Sequence, residues 1–299
     1  MRKFSRTVRA MTPSGLSATF PDTTAGLKAT VTLNDGTRMP WVGLGVWQIA
    51  GDTQTEKSVR TGIELGYRSI DTARIYGNER GVGQAIKRCG VPREELFITT
   101  KVWNDDVRAG RVEAACEKSL SLLGLDYLDL YLVHWPIAGK IVEAWKAMER
   151  LQRGGRVRTI GVSNHLRPHL DELLGAAEIA PAVNQIEFHP YLQSKPLVEF
   201  CEAKTIRAEA WSPLMQGGDV LKDATLVEVA KRHGKSVAQI ILRWDVQRGV
   251  VTIPKSTKPH RLAENAAIFD FQLTEKEMFA VDALDRNQRV GPDPLNFGF

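Results

Sequence analysis

Residues 97–101, Phe-Ile-Thr-Thr-Lys, form a short run rich in β-branched side chains that ends at Lys101. Such a run is typical of a buried strand, so its ionisable last residue is expected at the mouth of a sheet. Two other runs end in the same way, Arg-Ser-Ile-Asp at Asp71 and Asp-Leu-Tyr-Leu-Val-His at His134. The three strands therefore predict three polar groups that converge on one site, which Tyr76 in the loop after Asp71 joins.

Strand-like and helix-like segments alternate along most of the chain. The predicted strands end at Gly45, Asp71, Lys101, His134, Ser163, Glu187 and Trp211, and a last run covers 250–254. The named ends are 24 to 33 residues apart, which is about the length of one βα unit. Eight such units without a break predict an α/β fold, a parallel (β/α)8 TIM barrel.

A β-hairpin is predicted before the barrel, because 34–36, Asn-Asp-Gly, provides turn chemistry between two apolar runs. The alternative to the barrel is an open doubly wound sheet, which usually carries a glycine-rich phosphate loop after its first strand. The stretch at Gly43 lacks the third glycine of that fingerprint, and the stretch at Gly81 lies within a predicted helix. The barrel is therefore favoured.

Composition excludes several classes of protein. The chain has 299 residues, 43% hydrophobic and 25% charged, as in an ordinary globular protein. No apolar run approaches the roughly 18 residues of a membrane span, and a net charge of +5 spread along the chain does not indicate a nucleic-acid surface. Three scattered cysteines without metal-ligand spacing predict reduced thiols and no metal site, which is typical of the cytoplasm.

The first 27 residues differ from the rest. They contain four basic residues before position 10 and no acid before Asp22. This composition is similar to that of an organelle transit peptide, but a flexible tail or an early start codon explains it as well. We expect 1–27 to be a disordered extension and 28–299 to be one barrel domain.

The carboxyl ends of barrel strands form the active face of this fold. Asp71, Lys101 and His134 lie at such ends, and Tyr76 lies in the loop after the first of them. Each residue has an ordinary structural explanation, as a helix cap, a solvated lysine or a packed histidine. Their combination on one rim instead predicts a catalytic site.

Seven motifs carry a resemblance to a known family. They are DTARIYGNE at 71–79, TKVW at 100–103, LVHWP at 132–136, GVSNH at 161–165, NQIEFHPYLQ at 184–193, WSPL at 211–214 and IPKSTKPHRLAEN at 253–265. From about residue 29 to its end, the chain resembles the aldo-keto reductase superfamily. Within the superfamily it looks most similar to the bacterial 2,5-diketo-D-gluconate reductase-like group.

The resemblance implies NADPH-dependent reduction of aldehydes or ketones to alcohols. It maps the catalytic tetrad of the family onto Asp71, Tyr76, Lys101 and His134. Tyr76 would donate a proton to the carbonyl oxygen, helped by the positive charge of Lys101, which Asp71 would hold in place. Neutral His134 would orient the substrate oxygen.

The resemblance also implies a cofactor site. Ser163, Asn164 and Gln185 would hold the carboxamide of the nicotinamide, and Trp211 would offer a flat face to its ring. A basic cluster near the last strand would bind the 2′-phosphate, which favours NADPH over NADH. The remaining cofactor residues implied by the family are Ser212, Leu214, Lys255, Ser256, Arg261, Glu264 and Asn265.

The substrate pocket would be lined by Trp47, Trp103 and His134. Small dicarbonyls, keto acids and keto esters are the expected substrates, and the protein is expected to be a monomer. Two alternatives remain at this point. One is a regulatory barrel that binds NADPH without catalysis, and the other is a hydrolase or metal enzyme, for which three histidines are the available ligands, namely His165, His169 and His189.

Overall fold

The computed structural model of the chain describes residues 23–299. Most of the expected extension, residues 1–22, lies outside the described part of the chain. Residues Thr23–Lys28 form 3-10 turns with a kink at Gly26. The boundary between an extension and a barrel domain near residue 28 therefore stays a prediction.

The predicted hairpin is present at the start of the barrel. Strands β1 (Thr30–Thr32) and β2 (Arg38–Pro40) pair antiparallel. The hairpin reaches the amino end of a barrel strand, where the Thr159 hydroxyl lies 2.8 Å from Asp35 Oδ2 and 2.9 Å from Thr37 Oγ1. The hairpin thus covers the end of the barrel that is opposite to the active face.

Eight parallel strands form the barrel, as predicted. In chain order they are β3 (Gly43–Gly45), β4 (Ser69–Asp71), β5 (Phe97–Val102), β6 (Leu128–Val133), β7 (Val157–Ser163), β8 (Val183–Glu187), β9 (Arg207–Trp211) and β10 (Val251–Thr252). Each strand pairs with its neighbours in sequence. Parallel bridges from Val42 to Thr252 and from Gly45 to Lys255 join the first strand to the last and close the cylinder.

Two glycines of β3 allow this closure. A Cβ atom at Gly45 would lie 2.9 Å from the carbonyl oxygen of Ile253, and one at Gly43 would lie 3.0 Å from Ile253 Cγ2. The first and last strands therefore approach too closely at this point for a larger residue. The glycines interpreted above as a weak phosphate-loop signal belong to a strand that closes the barrel.

Eleven α-helices are present among residues 23–299. They are α1 (Asp52–Glu64), α2 (Glu79–Arg88), α3 (Asn104–Arg108), α4 (Val112–Leu123), α5 (Ile141–Arg153), α6 (Arg167–Leu174), α7 (Lys195–Ala203), α8 (Ala224–His233), α9 (Val237–Gln247), α10 (Pro259–Ala266) and α11 (Glu275–Asp282). The sequence patterns predict eight of these helices to within two residues, over 53–65, 78–89, 111–123, 142–153, 169–174, 196–203, 224–233 and 237–248. The sequence patterns did not predict α3, α10 and α11, which are short.

Local capping explains where several helices begin. Ser236 accepts a hydrogen bond from the backbone N–H of Gln239, whose side chain accepts one in return from the N–H of Ser236. Thr274 and Glu277 form the same reciprocal pair at the start of α11. These capping boxes satisfy N–H groups that have no partner inside the helix.

The barrel interior is polar near its carboxyl end. Asp71, Lys101, Gln185 and Glu209 are each at most 2% exposed and project from four different strands. Apolar side chains fill the space between the strands and the helices. Because buried charges are costly unless they are paired, this inner polar layer is where a site is expected.

Candidate active site

The centre of the site is an ion pair between neighbouring strands. Lys101 Nζ donates to Asp71 Oδ1 at 2.6 Å and to the carbonyl oxygen of Thr72 at 2.9 Å. Burial, the largest single effect, would by itself lower the pKa of Lys101, but the charge and hydrogen bond of Asp71, together with Tyr76 and Glu209, raise that pKa above its ordinary value. Lys101 therefore stays charged although it is fully buried.

Tyr76 lies above this ion pair, in the 3-10 turn Arg74–Tyr76 that follows β4. Lys101 Nζ is 5.2 Å from the centre of the Tyr76 ring. Burial raises the pKa of Tyr76 above its ordinary value, and the charge of Lys101 offsets only part of this rise. The phenol is thus protonated at neutral pH, and the expected lowering of its pKa by Lys101 is smaller than the effect of burial.

His134 follows directly after β6 and meets Tyr76 and Trp103 edge to face, with ring centres 5.8 and 5.2 Å away. Burial and the charge of Lys101 hold the pKa of His134 well below its usual range. Its Nδ1 atom has no hydrogen-bond partner within the described residues. The imidazole is therefore neutral, as expected from the sequence.

Asn164 connects several of the predicted residues. Its Nδ2 donates to the carbonyl oxygen of His134 at 3.0 Å and to Ser163 Oγ at 3.1 Å, and its Oδ1 accepts from Trp211 Nε1 at 2.8 Å. The backbone of Asn164 is left-handed, with φ of 61°. Strain of this kind is common at functional sites, and here it lets one side chain orient both His134 and Trp211.

Gln185 links the site to a carboxyl group that the sequence patterns did not single out. Its Nε2 donates to Asp71 Oδ2 at 2.8 Å and to Glu209 Oε2 at 2.7 Å. Burial, followed by repulsion from Asp71, raises the pKa of Glu209 to about 8. The signal was present in β9, because Glu209 lies two residues before Trp211 and so faces the same side of the strand.

The expected phosphate-binding residues lie beyond β10. Lys255 and Arg261 are exposed and form no ion pair within residues 23–299, whereas Ser256 is buried. Arg261 is in the first turns of α10, and the Ser256 hydroxyl accepts from the backbone N–H of Lys258 at 3.1 Å. Unpaired cations beside a helix start are suited to an anion.

The other predicted cofactor residues lie at two further places. Ser212 and Leu214 follow β9 and are half-buried, and Ser212 has a left-handed backbone with φ of 50°. Glu264 is half-buried and Asn265 is buried near the end of α10. The predicted residues therefore follow the rim from β7 to α10.

The expected substrate residues lie around the mouth of the barrel. Trp47 follows β3 and is 41% exposed. Trp103, at the start of α3, is stacked against Phe299, with ring centres 5.7 Å apart. Phe297 and Phe299 both contact Trp135. Sequence patterns did not single out Phe297 and Phe299 within the C-terminal segment, residues 286–299, because nothing in their spacing shows that the chain returns to the rim.

Hydrogen bonds hold this C-terminal segment in two places. Glu187 accepts from the backbone N–H groups of Val290 at 2.5 Å and Gly291 at 3.2 Å. The carbonyl oxygen of Phe299 accepts from Arg108 at 2.6 Å and from Asn104 at 3.2 Å. The segment is thus fixed at both ends and forms one wall of the site.

The alternative of a metal enzyme has no structural support among residues 23–299, where no three His, Cys, Asp or Glu side chains are grouped to hold an ion. His165 bonds the carbonyl oxygen of Ser163 at 2.9 Å, and its ring contacts that of His169. His189 is buried against Glu187, with 3.1 Å between Nε2 and Oε1. No helix in the same part of the chain is long and apolar enough to cross a membrane.

Comparison with known proteins identifies the class that this barrel and site define. Residues 41–286 match the model of the aldo/keto reductase family. The chain belongs to the aldo/keto reductase family. The family predicted from the sequence motifs is therefore confirmed.

Individual relatives cover nearly the whole chain. A glyoxal reductase of Bacillus subtilis is 56% identical over 268 residues, 90% of this chain and 97% of the relative. The methylglyoxal reductase DkgA of Salmonella typhimurium is 47% identical over an alignment that covers 90% of this chain and 98% of the relative. A solved structure of a Gox0644 mutant in complex with NADPH is 43% identical, with a TM-score of 0.86 over 90% of this chain and 98% of that one.

Proposed function

We propose that the protein reduces aldehydes or ketones to alcohols with NADPH, and that Tyr76 donates the proton. Membership in the aldo/keto reductase family makes it an oxidoreductase that acts on carbonyl groups. Solved relatives bound to NADPH or NADP support the cofactor. The single observation that carries the catalytic proposal is the buried Lys101–Asp71 pair, 2.6 Å long, beneath Tyr76 and neutral His134.

The four residues have distinct tasks in this proposal. When bound, NADPH supplies the hydride that reduces the carbonyl carbon. Tyr76 gives its proton to the carbonyl oxygen, and neutral His134 donates a hydrogen bond that orients the same oxygen. Asp71 holds Lys101, whose charge stabilises the negative charge that develops on the phenol oxygen.

The contribution of Lys101 is large enough to matter. A unit charge about 5 Å away stabilises a phenolate by on the order of 3 kcal/mol at an effective dielectric constant of 20. This corresponds to about two pKa units. Without that charge, burial alone would make Tyr76 a still weaker acid, and proton transfer would be slower.

The cofactor residues divide into two groups. Ser163, Asn164 and Gln185 would hold the carboxamide, and Trp211 would support the nicotinamide ring. The fit is good, since Trp211 is already fixed by Asn164 and Gln185 Oε1 accepts no hydrogen bond from residues 23–299. A second set would hold the rest of NADPH, and its basic members, Lys255 and Arg261, would bind the 2′-phosphate. The set consists of Ser212, Leu214, Lys255, Ser256, Arg261, Glu264 and Asn265.

Small dicarbonyl compounds are the substrate class that the site supports best. Glyoxal and methylglyoxal reductases are among the relatives. Aromatic walls from Trp47, Trp103 and Phe299 suit a compact, largely uncharged substrate. Keto acids and keto esters are the next members of the same chemical series to test.

We also propose that the protein is a cytoplasmic monomer without a nucleic-acid partner. Seven large apolar side chains are exposed within residues 23–299, and two of them, Trp47 and Phe299, belong to the proposed substrate site. The free thiols of Cys89, Cys116 and Cys201 fit a reducing compartment. Sedimentation velocity tests the oligomeric state, and a stable dimer would contradict it.

The test of function is NADPH oxidation with a panel of glyoxal, methylglyoxal, a keto acid and a keto ester, repeated with NADH. Tyr76→Phe should lower kcat by at least about 10²-fold, because it removes the general acid. NADPH binding should persist. Tyr127→Phe is the matched control. Tyr127 lies between Arg93 and Arg158, so this variant should reduce carbonyls at the normal rate.

Normal turnover by Tyr76→Phe would show that another group gives the proton. NADPH binding without reduction of any carbonyl by the wild type would support the regulatory barrel instead. No structural observation favours that second function, because all four tetrad residues lie together at one rim.

A further inference from the structure

Glu209 is a fully buried carboxyl group inside the barrel, and the mechanism above assigns no task to it. Its side chain is 0% exposed. In the register of the sheet it lies directly opposite Gln185 on β8 and Val251 on β10. One neighbour is therefore a polar amide and the other is apolar, which leaves Gln185 as the hydrogen-bond partner of Glu209.

Gln185 joins Glu209 to the catalytic ion pair. The two hydrogens of its amide nitrogen go to Glu209 at 2.7 Å and to Asp71 at 2.8 Å. The two carboxyl oxygens therefore lie within about 5.5 Å of each other, since both bond one nitrogen. Two negative charges this close inside a protein disfavour each other strongly.

The positive charge available to these two carboxyl groups is insufficient. Lys101 bonds Asp71 and the carbonyl oxygen of Thr72, and forms no ion pair with Glu209. His134 is neutral. Glu209 Oε1 has no hydrogen-bond partner among residues 23–299. An ionised Glu209 would thus be a buried charge with half of its acceptors unused, which is the less stable form.

We propose that Glu209 is a positioning residue of the reduction site, one that keeps its proton at neutral pH and so leaves Asp71 as the only counter-charge of Lys101. Its neutral form accepts one hydrogen bond from Gln185 and adds no charge to the layer beneath Tyr76. This inference rests on the proposed function, because it concerns how Tyr76 is kept a competent acid.

Ionisation of Glu209 would change Tyr76. A negative charge at Glu209 raises the pKa of Tyr76, as does the charge of Asp71, whereas Lys101 lowers it. Tyr76 becomes a weaker acid when Glu209 loses its proton. Reduction should therefore slow as pH rises through the pKa of Glu209, which is about 8.

The groups that set this titration come from each element around Glu209. Asp71 on β4 opposes ionisation, while Lys101 on β5 and the amide of Gln185 on β8 favour it. Tyr76 in the turn after β4 senses the result. The neighbour on β10, Val251, carries no charge.

The kinetic test is the pH profile of kcat for carbonyl reduction at saturating NADPH and substrate. Glu209→Gln reproduces the neutral acid and cannot ionise, so the alkaline fall in rate should move up by more than about one pH unit. Asp245→Asn is the matched control. Like Glu209, Asp245 is fully buried and has a raised pKa, and it accepts a hydrogen bond from Thr252. It lies on α9, outside the barrel, so Asp245→Asn should keep the wild-type pH profile of kcat.

A second measurement does not depend on turnover. The infrared difference spectrum between wild type and Glu209→Gln should contain the carbonyl stretch of a protonated carboxylic acid at about pH 6, and this band should vanish by about pH 10. Thermal unfolding of both proteins checks that the variant is folded.

Three outcomes would overturn the proposal. They are an unchanged alkaline limb in Glu209→Gln, a folded Glu209→Gln that cannot reduce carbonyls at neutral pH, and a wild-type spectrum without the acid band. Failure of the proposed function would look different. In that case the wild type would oxidise no NADPH at any pH, while the infrared band would still report whether Glu209 carries a proton.

Discussion

Lys101 is a fully buried lysine that keeps its charge because each of its contacts is polar or negative. Asp71 Oδ1 lies 2.6 Å from Nζ, and the Thr72 carbonyl oxygen lies 2.9 Å away. Removal of one partner from a buried ion pair typically costs about 3–5 kcal/mol, since it leaves an uncompensated charge. An apolar pair of similar volume is often as stable, so stability alone does not explain the ion pair. The pair fits the charge-dependent role proposed for Lys101 at Tyr76.

Arg261 carries a prediction about cofactor choice. Its side chain is exposed and has no ion-pair partner within residues 23–299. Arg261→Ala should raise the Kd for NADPH by about 10- to 100-fold, because a charge-assisted hydrogen bond contributes about 1.5–3 kcal/mol. The Kd for NADH, which lacks the 2′-phosphate, should change little.

Fluorescence titration with both cofactors provides this comparison. Arg153→Ala is the control, since Arg153 pairs with Glu178 at 2.6 Å on the outer surface at α5. Equal weakening of NADPH and NADH binding by Arg261→Ala would remove the support for a 2′-phosphate site at α10.

At the scale of elements, α3 and the C-terminal segment form a unit that shapes the substrate site. Phe299 stacks on Trp103, and its carbonyl oxygen is bonded by Arg108 and Asn104. The segment is held at its other end by Glu187, at the carboxyl end of β8. The stacked pair of Trp103 and Phe299 thus depends on hydrogen bonds between elements that are far apart in sequence.

Arg108→Ala should raise KM for carbonyl substrates by about 3- to 10-fold, because it removes the stronger of the two bonds to Phe299. The Kd for NADPH should stay near the wild-type value. Arg111→Ala is the control, since Arg111 bonds Asp106 in the same region and does not bond the segment. Steady-state kinetics with methylglyoxal checks both variants, and an unchanged KM in Arg108→Ala would contradict this role.

At the scale of the whole molecule, closure of the barrel connects stability with the cofactor site. The first barrel strand, β3, is joined to the last strand, β10, and to the residues after it by bridges at Thr252 and Lys255, and this junction is the seam of the barrel. Lys255 is one of the proposed phosphate ligands. Distortion of this seam should therefore affect both the unfolding transition and the binding of NADPH.

Gly45→Ala should lower Tm by about 2–5 °C and weaken NADPH binding. The new Cβ would lie 2.9 Å from the carbonyl oxygen of Ile253, and overpacking of this kind typically costs about 1–3 kcal/mol. Gly298→Ala is the control, because its Cβ would meet open space. Calorimetry with and without NADPH measures both effects, and a Gly45→Ala protein that melts like the wild type would contradict the tight seam.

The elements that sequence patterns predicted well have strong local signals. Strand ends were placed within two residues, and the long helices were recognised by apolar spacing and terminal glycines, such as Gly124 after α4. The short helices α10 and α11 were missed, because eight residues provide little periodicity, and the basic stretch at 255–261 was interpreted as an anion site without a helix. Packing on the barrel, rather than local propensity, decides such helices.

The four tetrad residues could be proposed from the sequence because each ends or follows a strand, and the resemblance to the family then implied their tasks. Glu209 and the phenylalanines of the C-terminal segment could not be predicted in this way. A buried glutamate in a strand looks like any inward position until its neighbours are known, and the return of Phe299 to Trp103 joins positions far apart in sequence. Their tasks come from contacts between strands and loops.

The amino-acid sequence by itself determined the barrel and its hairpin, because periodicity and turn chemistry act over short distances along the chain. Its motifs determined the family, and the resemblance to that family implied the roles proposed for Asp71, Tyr76, Lys101 and His134. Only the tertiary structure shows the physical cause of the charge state of the site. Burial raises the pKa of Tyr76, keeps His134 neutral and raises the pKa of Glu209 to about 8. These effects depend on which groups share one closed interior, and that is settled when eight separate strands close into a cylinder.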